Sequence, residues 1–190
     1  MKKLFALLML TIPVMVFADV LQDILDEFEA AKKTIRNELT IVQQKKRYIE
    51  GKRKWTGDDL KFLLADWLEY IKPDRIENVW GNMESATSKA FFRISKLAFI
   101  NGQHIITGDR IDAMHERRDK HIKDMENSIS EFTEIISKIS YEDNPASGMV
   151  KLIQSNYDCL VNLEYELKGL QELMDECIFI LQDLRRIFYP

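Results

Sequence analysis

The chain is short of the residues that turn or staple a backbone, with 7 glycines, 4 prolines and 2 cysteines among 190 residues. A β-sandwich or barrel needs a turn roughly every eight to twelve residues, and so few Gly and Pro cannot supply them. Two cysteines cannot staple a miniprotein of this length, and a hydrophobic share of 46% is too high for a disordered chain. A surplus of positive charge is also missing, since 27 Lys and Arg are set against 31 Asp and Glu. That balance disfavours general nucleic-acid binding. What remains is an all-α protein long enough to bury a useful core.

Catalytic signatures are absent as well. There is no glycine-rich phosphate loop, no Gly-x-Ser-x-Gly elbow and no cysteine with a convincing histidine partner. The histidines are His104, His115 and His121. His115-Glu116-Arg117-Arg118-Asp119 has the opening of a zinc-protease helix, but Asp119 stands where the second imidazole must be. Asp112 and His115 form half of a di-iron pattern whose second copy is missing. The sequence therefore predicts a non-enzymatic protein with no catalytic residue, metal ligand or cofactor.

Residues 1–18 have the three parts of a secretory leader. Lys2 and Lys3 supply positive charge, and Leu4 to Val16 is an apolar run of 13 residues broken by Pro13. A bilayer-spanning helix needs about 20. Val16-Phe17-Ala18 places small side chains at the first and third positions before a cut, with Asp19 as the new terminus. No cysteine stands near the cut, so lipid attachment is not expected. Without Lys2 and Lys3 the formal charge of −4 becomes −6. No later stretch suits a transmembrane segment, and no Asn-x-Ser/Thr sequon occurs. The expected location is outside the cytoplasm, in the periplasm or beyond.

Three long segments carry apolar residues spaced alternately four and three apart, the mark of helices packed along a continuous seam. From about Pro145 to Phe188, one row reads Ile153, Leu160, Leu167, Met174, Leu181, Phe188 and the other Asn156, Leu163, Leu170, Cys177, Leu184. From about Asp109 to Tyr141 the rows are His115, Ile122, Ile129, Ile136 and Ile111, Arg118, Met125, Phe132, Ile139, with a polar, splayed start. From about Val20 to Glu50 one row holds Leu21, Phe28, Ile35, Val42 and Ile49. In its second row Leu25 and Leu39 alternate with Lys32 and Lys46. The pattern predicts an elongated three-helix bundle made of residues 19–50 and 109–190.

Residues 51–108 differ in texture and read as an inserted appendage of short helices. Thr56 with Asp59 forms a capping box for a helix reaching Lys72 before Pro73. Two further short helices are expected, over 75–85 and 90–100. All three tryptophans, Trp55, Trp67 and Trp80, lie in this stretch.

Cys159 and Cys177 are 18 residues apart on one predicted helix, about 27 Å at 1.5 Å per residue. A disulfide needs Cα atoms within about 7 Å, so they cannot pair with each other there. Cys177 falls on the apolar seam. Cys159 lies beside it and is the candidate for an intermolecular link.

The densest charge cluster is Lys45, Lys46, Arg47, Lys52, Arg53 and Lys54, followed by Trp55. Positive charge at a helix C-terminus is favoured by the helix dipole, which explains the cluster without a function. The functional alternative is contact with anionic headgroups or an acidic partner.

The stretch Ser147-Gly148-Met149, through Gln154-Ser155-Asn156, to Leu167-Lys168-Gly169-Leu170-Gln171-Glu172-Leu173 resembles the minor pilin family of type IV secretion systems. Related periplasmic conjugal-transfer proteins share the order of leader, long helix, short-helix appendage and two long helices. The resemblance implies a non-enzymatic component at or near the tip of a conjugative pilus, acting in assembly or cell contact. Its partners would be other secretion or pilus subunits or a cell-surface protein. The appendage would be the recognition end, presenting Trp55, Trp67 and Trp80 beside Lys52, Arg53 and Lys54; the other reading places these tryptophans in the appendage's own core. A periplasmic helical chaperone and an immunity or inhibitor protein are the competing functions, and the oligomeric state stays open.

Overall fold

Among the described residues five helices follow one another: α1 (Lys2–Gly51), α2 (Gly57–Tyr70), α3 (Pro73–Leu97), α4 (Gly108–Ile139) and α5 (Pro145–Phe188). The structure, a computed structural model, describes the backbone of residues 2–70, 73–97, 108–139 and 145–188. Side chains are described for 19–70, 81–93, 108–138 and 148–186. The fold is an all-α bundle, as the composition predicts. At 1.5 Å per residue the 50 residues of α1 span about 75 Å, and the 44 of α5 about 66 Å.

The two rows of α5 form its buried side. Leu160, Leu163, Leu167, Leu170, Met174, Cys177 and Leu181 are fully enclosed. The buried stripe is wider than two heptad rows because α5 packs against α1 on one side and α4 on the other. Leu152, Cys159, Leu173 and Ile178 therefore also enter the core. Truncating one such leucine to alanine costs about 2–5 kcal/mol.

Polar contacts fix the direction of packing. Gln22 meets Arg185, Lys32 meets Asp175, and Glu50 meets Tyr157, so positions rising along α1 descend along α5. The two helices are antiparallel. Between α4 and α5, Met114 lies by Cys177, His121 by Glu166 and Ser128 by Cys159, which is again antiparallel. The lysines that interrupt the second row of α1 are thereby explained. Lys32 reaches Asp175 at 2.5 Å and Lys46 reaches Glu164 at 2.7 Å, both on α5.

The region 75–97 departs from expectation, while residues 98–100 of the expected helix 90–100 lie outside the described residues. Two short helices were predicted, but α3 is one helix of 25 residues. The polar residues between the two expected helices continue the helix, and the hydroxyl of Thr87 among them is satisfied by it. Thr87 Oγ1 donates to the carbonyls of Met83 and Glu84 at 2.9 and 3.0 Å.

α3 packs against α1 and touches α4. Phe91 is enclosed there, with Phe28 of α1 at 5.6 Å edge-on and His115 of α4 at 5.0 Å. The Arg118 guanidinium lies over the Phe91 ring at 5.6 Å and donates to Ser88 Oγ at 3.2 Å. The two polar seam positions at the start of α4, His115 and Arg118, are thus covered by α3, while the residues around them stay exposed. A cation stacked on an aromatic face loses little by being partly buried.

Candidate partner-binding surface at the end of α1

The chain leaves α1 through a short turn in which Lys52 N donates to the Ile49 carbonyl at 3.2 Å. Thr56 and Asp59 then form the predicted capping box: Thr56 N donates to Asp59 Oδ2 at 3.0 Å, and Asp59 N to Thr56 Oγ1 at 3.2 Å. Lys52 Nζ closes on the other carboxylate oxygen of Asp59. The Lys52 contact, helped by both Thr56 donors, lowers the Asp59 carboxyl to about 2. The same bond raises the Lys52 ammonium above its ordinary value.

This arrangement divides the basic cluster in two. Lys45 pairs with Asp66 and stands 5.2 Å from the Tyr70 ring centre. Lys46 pairs with Glu164, and Lys52 with Asp59. Arg47, Arg53 and Lys54 are exposed and make no ion pair among the described residues. The surface available to a partner therefore carries three free cations, not six.

The tryptophans are divided as well. Trp55 is half-buried and packs edge-on against Tyr48 at 6.2 Å. Tyr48 in turn meets Phe62 at 5.7 Å, and Phe62 is 57% exposed. Lys52 Nζ lies 5.4 Å from the Tyr48 ring. Trp67 is 1% exposed, with its ring 4.4 Å from Phe132 of α4 and 5.5 Å from Tyr70. Its placement is that of a core residue, which cannot offer surface to a partner in this conformation. The side chain of Trp80, like that of His104, lies outside the described residues.

Tyr48 and Phe62 are interface candidates that the sequence reading missed. The signal for Phe62 was present: Leu63, Trp67 and Tyr70, spaced four and three apart, form the buried stripe of α2. Phe62 falls outside that stripe and must face outward.

Cys159 does not occupy the surface that an intermolecular disulfide requires. Its residue is 4% exposed, its Sγ donates to the Ser128 carbonyl at 3.3 Å, and burial pushes the thiol up to about 12. Cys177 is enclosed near Met114, and burial likewise raises it to about 12. Both thiols are free. Among the described residues there is no cluster of three or more metal-ligating side chains and no helix long and apolar enough to cross a membrane.

No protein-family model matches the chain, and neither a curated protein nor a solved structure shows significant similarity to it.

Proposed function

We propose that this chain is a non-enzymatic, exported subunit of a type IV secretion or conjugation apparatus, a minor pilus component working through protein–protein contact. The observation that carries the reading is the surface at the end of α1, where exposed Phe62 and half-buried Tyr48 and Trp55 stand beside Arg53 and Lys54, unpaired among the described residues. Aromatic residues joined to unpaired cations are the composition of protein interfaces. The leader-like N-terminus and the resemblance over residues 147–173 support placement in an exported assembly. The surface fits an acidic partner that lays an apolar side chain against the row Trp55, Tyr48 and Phe62, with Arg53 and Lys54 steering its approach.

The test is genetic and biochemical together. Deletion of the gene is expected to lower conjugation, and antibody labelling of intact donor cells is expected to find the protein at the surface or on pili. The variant R53E/K54E/F62A should fold normally and fail to restore transfer. Unchanged conjugation in the deletion strain, with no surface labelling, sinks the proposal.

A further inference from the structure

The outer side of α5 carries a row that the bundle does not use. Its positions run from Lys151 through Gln154, Asp158 and Val161 to Asp175 and Phe179, spaced alternately three and four apart like the buried seams. Every one of them is exposed, because α1 and α4 occupy the other side of the helix. Tyr165 in this row is 70% exposed, Phe179 61% and Val161 36%, and Val150 beside it is 68% exposed. A solvated helix face is ordinarily polar, yet the large exposed apolar side chains of α5 among the described residues all lie here.

We propose that this row docks against the same row of a second copy, making an antiparallel homodimer whose two-fold axis passes level with Leu163. Positions equally far from residue 163 then face each other, and the axis repeats every contact. Val161 faces Tyr165 of the second copy, so two valines and two tyrosines close over the centre. On either side Asp158 faces Lys168 of the second copy, and farther out Lys151 faces its Asp175. Phe179 comes within one turn of the level of the second copy's Val150, which covers the last exposed apolar groups. Asp158 takes the Gln154 amide on Oδ1 and Asp175 takes Lys32 on Oδ1, leaving Oδ2 of each for a cation. Lys168 shares Glu164 with Lys46, both at 2.7 Å, so it can turn outward without leaving that carboxylate unpaired. The dimer is independent of the pilus reading.

Charge selects this partner and this alignment. In a parallel pair each position faces its own copy, which sets Asp158, Lys168, Glu172 and Asp175 each against itself. A slip of one heptad sets Asp158 against Asp175 in one direction and Lys151 against Lys168 in the other. A slip of two heptads, centred on residue 170, avoids like charges but leaves Val150 uncovered and parts Val161 from Tyr165. A contact along one helix face falls short of the roughly 1,600 Å² of a standard interface, so dissociation in the micromolar range is expected.

Sedimentation velocity of the purified protein, from micromolar to millimolar concentration, is expected to show a monomer–dimer equilibrium. Tyr165→Glu should weaken the dimer about tenfold or more, with helix content unchanged by circular dichroism because the site is exposed. Asp158→Lys should weaken it about fivefold, and Asp158→Lys/Lys168→Asp, which swaps the facing charges, should restore it. Mild oxidation of Gln154→Cys mixed with Glu172→Cys should give the mixed disulfide in excess, since those positions face each other, while the native thiols stay buried. A protein that remains monomeric at millimolar concentration overturns the dimer. A dimer indifferent to Tyr165→Glu uses another face and equally overturns the proposal. A majority of like-with-like disulfides refutes the antiparallel alignment.

Discussion

A β-carbon placed on Gly169 would fall against the imidazole of His121, 2.6 Å from Nε2 and 2.9 Å from Nδ1. The ring occupies the space that any other residue at 169 would fill, and its Nδ1 lies 2.6 Å from Glu166 Oε2. Glycine in mid-helix costs about 1 kcal/mol relative to alanine, so the close approach of α4 accounts for its presence in α5.

Gly169→Ala is therefore expected to destabilise the protein by about 1–3 kcal/mol, because His121 must leave its place and its contact with Glu166. In a His121→Ala background the same change should stabilise by about 1 kcal/mol, the ordinary gain of alanine over glycine in a helix. Urea unfolding of the four proteins measures both signs. An equal effect in the two backgrounds would refute the steric account.

Acid should weaken the α1–α5 interface through Glu164. Hydrogen bonds from Lys168 and Lys46 hold this carboxyl at about 2, against an ordinary value of 4.5. A carboxyl depressed on folding adds stability that is fully present above pH 4.5 and is lost as pH falls toward 2. Melting temperature followed from pH 6 to pH 2 should fall less steeply in Glu164→Gln than in the parent. Asp59, also held at about 2, will keep part of the slope in the variant. Parallel curves for the two proteins would contradict the assignment.

Both thiols should be inert in the folded protein, since burial keeps them at about 12 and the thiolate is the reactive form. A thiol-specific reagent at pH 8 is expected to label neither Cys159 nor Cys177 on the timescale of minutes, and both at once in denaturant. Rapid labelling of the native chain, or a disulfide-linked dimer on mild oxidation, would place Cys159 at the surface after all.

Phe91 should hold α3 to the bundle. It is enclosed between Phe28, His115 and Arg118, so Phe91→Ala is expected to cost about 3–5 kcal/mol. Limited proteolysis should then cut within α3 before α1, α4 or α5. His115 offers a second measure, because burial and the Arg118 charge lower its pKa below the ordinary 6.5. A histidine depressed on folding loses its stabilising share as pH falls below 6.5. In Phe91→Ala its NMR titration midpoint should rise toward that value.

The seams of α1, α4 and α5 could be read directly from the chain, because a heptad row is a property of spacing alone. Leu21, Phe28, Ile35, Val42 and Ile49 are all buried, as their row predicts. The capping box of Thr56 and Asp59 was equally legible, being a contact across three residues. The single helix α3 was not, since the apolar run from Ala90 reads as a helix separate from 75–85 until the residues between, Thr87 among them, are seen to bond within one helix. The candidate surface was half legible. The sequence marked the cations and Trp55, but it could not separate Trp55 from the buried Trp67.

By itself the sequence determined that the chain is helical and which stripe of each long helix is apolar, since these follow from local spacing and propensity. Only the tertiary structure decided which charges remain free. Lys46 is neutralised by Glu164, 118 residues away, while Arg53 and Lys54 make no ion pair among the described residues. Such pairing depends on which helices become neighbours and in which direction they run, and a one-dimensional pattern carries neither.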